Sequence, residues 1–267
     1  DDPADNPLDL TQGLVAYYPF DGNASDMSGN GNHGTVNGAT AGADRHGAAG
    51  KAMGMSSNNQ TISLPQNNAF ELAAFTYSQW LKFNTINDHH TIILNQVNSY
   101  KGLQIQIQNY AGTLPTKLQL AIGTGTQWDD LKVNNPIVAG NWVQLIATYT
   151  SGTGMLFLNG NLVAQRNDMA QIVKDGGKTV FGGHWNEINN NTFNGTLDEL
   201  RIYDRALSVN EVAALYQLEN PPPDQNATVT GTVNYEGVIP GPTYVWALEA
   251  NGSQVAEHVL PDGNGTY

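Results

Sequence analysis

One segment constrains this chain more than any other: Leu197-Asp-Glu-Leu-Arg-Ile-Tyr203, followed by Asp204-Arg-Ala-Leu-Ser208. Leu200 and Ile202 alternate with Glu199, Arg201 and Tyr203, the two-residue period of a strand with one apolar face. The same period puts Asp198 on the apolar side, where a carboxylate is costly unless it is paired, hydrogen-bonded or on a metal. Ser208 then stands as N-cap of a short helix running to Tyr216, with Glu211 three residues on to complete a capping box. The first expectation is a β-domain closed by a strand and a short helix, with a metal at Asp198.

Composition narrows the class. Only 13% of the 267 residues are charged, 29 are glycine, and apolar residues still make up 40%. That is a turn-rich all-β composition rather than a disordered one. The net charge of −13 argues against nucleic acid or an anionic membrane as partner, since both demand basic patches. It suits calcium binding or a saline exterior. Without cysteine there is no disulfide framework, zinc–thiolate site or cysteine nucleophile. No apolar run approaches the ~18 residues of a membrane span. Asp1-Asp-Pro-Ala-Asp-Asn-Pro7 reads as a mature N-terminus after signal cleavage or as an interdomain linker, so the expected location is secreted or cell-surface.

After a polar lead-in over 1–12, a first strand falls at Leu14–Phe20, followed by a loop to Gly34 dense in carboxylates, amides and glycines. Strands follow around 52–55, 61–64, 75–83, 91–97, 103–108, 117–122, 142–149, 154–158, 162–166, 179–181 and 195–203. Asn159-Gly160 between two of them is the strongest local hairpin signal in the chain. Many short strands joined by Gly/Asn turns predict a sandwich or barrel. The main domain is expected over 13–218. Pro221-Pro-Pro223 cannot continue a helix and marks a linker over 219–226. Residues 227–267 carry three more strand patterns, too few residues for an independent β-domain, and read as the start of a second one that is cut short.

Several motifs in order carry a family resemblance: Gly13-Leu-Val-Ala-Tyr-Tyr-Pro-Phe-Asp-Gly22, Asp26-Met-Ser-Gly-Asn-Gly-Asn-His-Gly34, Phe75-Thr-Tyr-Ser-Gln-Trp-Leu-Lys82, Asn141-Trp-Val-Gln-Leu-Ile-Ala-Thr-Tyr149, Leu156-Phe-Leu-Asn-Gly160 and Phe193 through Ser208. Together they resemble the laminin-G-like, concanavalin A-like jelly rolls of large bacterial surface and secreted proteins. The resemblance implies an all-β, two-sheet antiparallel jelly-roll sandwich with a short C-terminal helix and a calcium site at one edge. The C-terminal region is similar to immunoglobulin-like or transthyretin-like modules. The fold hosts lectins, hydrolases, lyases and adhesion modules alike, so function must be argued from the site.

Calcium takes six to eight oxygens. The resemblance brings the glycine-rich loop beside Asp198, which implies a structural calcium ion held by the Asp21 and Asp198 carboxylates. Asn23, Asp26 and carbonyls around His33 and Gly34 would complete the shell. The competing reading makes Asp21 and Asp26 caps of Asx turns, with Asp198 paired to a buried arginine or hydroxyl.

A catalytic site is not expected. No Glu-X-Asp-X-X-Glu pattern sets two carboxylates on one face for retaining hydrolysis, and no nucleophile elbow, phosphate loop or zinc motif is present. Sugar recognition needs an aromatic platform with amides and carboxylates for the hydroxyls. Trp80 and Trp142 sit in strand patterns and are assigned to packing, and Trp246 to the C-terminal region. Trp128, with Asp129 and Asp130, and Trp185, with His184, Asn186 and Glu187, fall in polar segments read as loops or loop edges. They form the candidate glycan site, with His89-His90 as an alternative contact. The expected function is a non-catalytic, calcium-containing carbohydrate-binding or adhesion module. Its rivals are a structural spacer or assembly module, whose partners are neighbouring protein domains, and a lyase or hydrolase with a non-standard site.

Overall fold

The computed structural model describes residues 9–56, 60–96, 100–109, 115–176, 178–183 and 193–220, and the backbone of four short strands beyond them. Among the described residues fifteen strands precede the helix: β1 (Leu14–Tyr18), β2 (Thr35–Asn37), β3 (Thr40–Ala43), β4 (Ala49–Met55), β5 (Thr61–Ser63), β6 (Phe75–Phe83), β7 (His90–Asn95), β8 (Leu103–Gln108), β9 (Lys117–Gly123), β10 (Trp128–Asn134), β11 (Trp142–Thr150), β12 (Thr153–Leu158), β13 (Asn161–Arg166), β14 (Thr179–Phe181) and β15 (Gly195–Tyr203). The helix α1 spans Val209–Glu219. The strands make two antiparallel sheets, one ordered β13-β12-β11-β6-β15-β4-β3 with β1 added on β15, the other ordered β10-β9-β8-β7-β14-β5-β2. This is the jelly-roll sandwich the motifs implied.

Alternation builds the interior. Phe75, Tyr77, Leu81 and Phe83 of β6 meet Leu103, Ile105, Ile107, Leu118, Leu120 and Ile122 of the facing sheet in one buried cluster. The opposite side of the eight-stranded sheet is not left to water: Ile146, Phe157 and Tyr203 form a second cluster with Leu207, Val212 and Leu215 under α1. That explains why β6, β11 and β15 are largely buried on both faces.

The Asn159-Gly160 hairpin forms as its sequence requires. Asn159 and Gly160 both take positive φ, 49° and 74°, the left-handed pair of a two-residue turn. A Cβ on Gly160 would sit 3.1 Å from Tyr216, so the turn also seats the helix. At the helix N-terminus, Glu211 N–H donates to Ser208 Oγ (3.3 Å) and Ser208 N–H donates to Glu211 Oε2 (2.8 Å). Arg205 adds a bond to Glu211 Oε1 at 2.7 Å, and this guanidinium pulls the Glu211 carboxyl down to about 2. Ser208→Ala removes half of the box and should cost about 1 kcal/mol in chemical denaturation; an unchanged midpoint would show that α1 is held by its packing alone.

One expected orientation is corrected. Asp198 does not share the face of Leu200 and Ile202. The ladder between β15 and β6 shifts register between Asp198 and Arg201, and Glu199 takes φ 53°. This bulge inserts one residue and reverses the phase of the alternation. Leu197, Leu200 and Ile202 therefore enter the interior, while Asp198 lies across from Trp80 on the helix-covered side.

The first compact unit ends at Asn220, and residues 221–267 form a second. In that unit Thr232–Val233 pairs antiparallel with Gly265–Thr266, and Thr243–Leu248 with Gln254–Leu260.

Candidate functional site

The residues named for calcium have other commitments. Asp21 Oδ2 lies 2.8 Å from Lys51 Nζ. Asn23 Oδ1 accepts from Ser25 N–H at 2.8 Å. Asp26 is buried, and its two oxygens take the backbone N–H groups of Tyr17 (2.9 Å), Ser28 (2.9 Å) and Asn32 (2.8 Å). Burial opposes its ionisation, but these three donors outweigh that and hold the carboxyl below the usual carboxylate range. His33 is exposed, and its Nδ1 accepts from Asp26 N–H at 3.1 Å. Gly34 is a packing position, its amide bonded to Ala24 O at 2.8 Å and its missing Cβ leaving room for Ala24. The first loop is thus a hub of Asx-type bonds centred on Asp26.

Asp198 faces a cation of its own, Arg45 Nη1 at 2.9 Å. Arg45 also donates to the Glu219 carbonyl through Nε (3.1 Å) and Nη2 (2.6 Å) and lies 5.0 Å from the Trp80 ring centroid. Glu219 receives Trp80 Nε1 and Gln144 Nε2, both at 2.7 Å, and meets Arg201. Burial, then Glu199, pushes the Asp198 carboxyl up to about 7 against the pull of Arg45. A calcium ion on Asp198 would have to displace that guanidinium. Among the described residues no three His, Cys, Asp or Glu side chains converge as a metal site. The donor set as placed does not fit a calcium shell; it clamps the end of α1 to the sheet instead.

The aromatic residues present a different arrangement. Leu118, Leu120, Ile122, Leu131 and Val133 pack against the interior, so Gln119, Ala121, Gly123, Trp128, Asp130 and Lys132 occupy the outer face of the seven-stranded sheet. Trp128 opens β10, paired across from Gly123; the polar loop expected there is an edge strand. Its indole meets Tyr100 edge-to-face, ring centroids 6.2 Å apart and planes inclined 62°. Tyr100 is 44% exposed, high for a large aromatic side chain, and its backbone is left-handed at φ 62°.

That backbone is held from two sides. Gly125 N–H donates to Tyr100 O at 2.7 Å, and Gly123 N–H to Gly102 O at 2.8 Å. A Cβ on Gly123 would come within 2.4 Å of Lys101 Cα, so only glycine there lets the 100–102 segment lie down on β9. A non-glycine residue held at positive φ costs about 1–3 kcal/mol and often marks a functional position.

Beside this pair a directed chain of hydrogen bonds runs from His89, just before β7, across three strands, β8, β9 and β10. His89 Nε2 meets Gln106 Oε1 at 3.0 Å, Gln106 donates to Gln119, and Gln119 Nε2 donates to Asp130 Oδ2 at 2.8 Å. Lys132 Nζ closes it on Asp130 Oδ2 at 2.8 Å. Since Gln106 donates onward, its carbonyl accepts and His89 Nε2 carries the proton. Burial drives the His89 pKa down to about 4. The unfolded chain therefore binds this proton first, and His89 destabilises the fold as pH falls from about 6.5 to about 4. Stability of His89→Gln should fall less over that window; an identical pH profile would contradict the placement.

Asp129 belongs elsewhere. It points to the sandwich edge, where it takes Ala170 N–H (2.6 Å) and Arg166 Nη1 (2.5 Å), latching β10 to β13. Of the candidate glycan residues, Trp128 and Asp130 thus share a face, Asp129 leaves it, and His184, Trp185, Asn186 and Glu187 lie outside the described residues. Tyr100 was not anticipated as Trp128's neighbour: the two come together through a left-handed turn that no periodicity announces. Trp142 departs from its packing assignment: it is half-buried, with Lys82 Nζ 5.5 Å from its ring, on the rim of an apolar hollow of about 330 Å³ with Ile137, Val138 and Val163.

Comparison with known proteins bears on this architecture. Residues 56–213 match the family described as the concanavalin A-like lectin/glucanases superfamily. Among solved structures, domain 4 of AbnA, a GH43 extracellular arabinanase from Geobacillus stearothermophilus, in complex with arabinotriose, aligns with TM-score 0.63 and 24% identity, covering 76% of this chain and 98% of that one. The binding domain of Paraclostridial Mosquitocidal Protein 1 aligns with TM-score 0.63 and 20% identity, over 79% of this chain and 53% of that one. The binding domain of Botulinum Neurotoxin DC in complex with SialylT gives TM-score 0.60 and 16% identity, over 78% and 52%. The chain thus spans about half the length of these toxin domains. No curated protein sequence matches it.

Proposed function

Because the chain belongs to the concanavalin A-like lectin/glucanases superfamily, we propose that it is a non-catalytic carbohydrate-binding module of a secreted or cell-surface protein, taking its glycan at the Trp128–Tyr100 edge of the seven-stranded sheet. The observation that carries this reading is the aromatic pair itself: a strained, exposed Tyr100 set against Trp128, with Asp130 and Lys132 beside them. Aromatic faces cover the C–H side of a pyranose or furanose, and neighbouring amides and carboxylates take the hydroxyls. The neighbour solved with arabinotriose and the one solved with SialylT support a glycan as the kind of partner. The non-catalytic part rests on the carboxylates. Asp198 is buried against Arg45 and Glu199 sits on a bulge bonded to Tyr17 (2.7 Å), so they do not flank a cleft.

The test is a panel of soluble polysaccharides, arabinan and sialylated glycans included, titrated with the full chain. Saturable binding to at least one, with no release of reducing ends, is the expected result. Binding to none contradicts the reading. It would favour an assembly module, for which Val138 and Leu162, both exposed large apolar residues, are the supporting observation; self-association in sedimentation would then be the thing to measure.

A further inference from the structure

Resting on that reading, we infer that the site selects single soluble glycan chains whose successive sugar rings are turned against one another, and rejects the flat faces of crystalline polysaccharides. The inclination of the two rings carries this. A crystalline cellulose or chitin face presents its sugar rings in one plane, and a platform for it needs coplanar aromatic faces. Trp128 and Tyr100 are inclined by 62°, so a plane that lies on one ring cannot lie on the other. A chain whose neighbouring residues are rotated can follow both.

The positions of the two rings are built in rather than accidental. The backbone beneath Tyr100 is held by the bond from Gly125 N–H to its carbonyl and by its close approach to Gly123, so the ring turns only about its own side-chain bonds, and its edge-to-face contact with Trp128 sets the inclination. Trp128 is fixed on a strand whose register runs unbroken from Trp128↔Gly123 to Asn134↔Lys117. With both backbones fixed and the two rings in edge-to-face contact, fewer side-chain rotamers remain to be ordered when the ligand arrives, which lowers the cost of binding. The polar groups fit the same target. Asp130 and Lys132 stand two and four residues along β10 on the face of Trp128, spread along the strand rather than in a single layer under one sugar.

The experiment compares the full chain with Trp128→Ala, Tyr100→Ala and the double variant carrying both, on two kinds of probe: microcrystalline cellulose and chitin in depletion assays, and soluble xylan, arabinan and mixed-linkage β-glucan in titrations. The expected result is binding to a soluble chain, weakened at least tenfold by either substitution, with depletion by the crystalline solids no greater than that of the double variant. Adsorption to a crystalline face that Trp128→Ala abolishes overturns the inference and leaves the glycan-binding reading standing. So does soluble-chain binding that depends on Trp128 and is unchanged in Tyr100→Ala, because the second ring would then be idle. Binding to neither kind of probe overturns both.

Discussion

At pH 8, where Asp198 is ionised, Arg45→Ala should destabilise the sandwich by about 3–5 kcal/mol, the range for breaking a buried ion pair from one side. In a domain of this size that is a fall in Tm on the order of 10 °C. The size follows from what is left behind. Asp198 is 3% exposed at its side chain and Arg45 11%, so the orphaned carboxylate keeps no water. It would face Glu199 and Asp44, both of which already push its pKa up. The Glu219 carbonyl at the end of α1 would lose two donors at once, and Trp80 would lose the guanidinium over its ring.

The pH dependence has a definite sign. Asp198 in the folded protein titrates near 7, against 3.8 for an ordinary aspartate. Between about 4 and 7 the native state therefore holds the proton that the unfolded chain has released, and stability falls as pH rises through that window. Removing Arg45 strips from Asp198 the guanidinium that opposes this shift, so the penalty of Arg45→Ala should be larger at pH 8 than at pH 5. Adding Asp198→Asn to Arg45→Ala should recover part of the loss. If the double variant is no more stable than Arg45→Ala at pH 8, the clamp is steric and the electrostatic account of Asp198 fails.

Trp128→Ala is expected to weaken glycan affinity by roughly 30-fold or more, about 2 kcal/mol, the size of an anchoring aromatic at an interface. Its Tm should stay close to that of the unsubstituted chain, because Trp128 is half-buried on an edge strand and outside both buried clusters. Gly123→Ala probes the same site from beneath. The new methyl group has no room under Lys101, so Tyr100 must lift off its seat, and affinity should fall about tenfold, roughly 1.4 kcal/mol, although the alanine lies outside the platform. Gly123→Ala with unchanged affinity would mean that the Tyr100 conformation is irrelevant to binding.

How much of this was legible in the sequence depends on the range over which each signal acts. The Asn159-Gly160 turn, the Ser208–Glu211 capping box and the strands at 75–83, 103–108 and 142–149 are written in residues that are neighbours along the chain. Composition and motif order reach the sandwich as a whole. The misreadings arise where a local rule is broken by one residue. The bulge at Glu199 reverses the alternation on which the facing of Asp198 was judged. β10 is an edge strand with Trp128, Asp130 and Lys132 on its outer side, so Trp-Asp-Asp looks like a loop to any reading that expects apolar alternation. β2 and β3, made of Thr, Val, Asn, Ala and Gly, carry too little apolar signal to be seen. The pairing of Arg45 with Asp198 spans 153 residues, and the contact of Tyr100 with Trp128 depends on a glycine at 123 that has meaning only once β9 lies beneath it. Asp21, Asn23, Asp26 and Asp198 have the residue types of a calcium shell, and donor type alone does not reveal which oxygens are already taken by backbone N–H groups or cations.

The most direct measurement is two-dimensional NMR of the indole Nε1–H resonances of the five tryptophans in the full chain, assigned by single Trp→Phe variants and followed while the best soluble polysaccharide is added. Glycan binding at the proposed edge predicts a saturable shift of the Trp128 resonance, with Trp80, sealed under α1 and bonded to Glu219, unmoved. Movement of Trp142 with Trp128 unchanged would place the ligand in the apolar hollow beside Ile137 and Val163 and contradict the account.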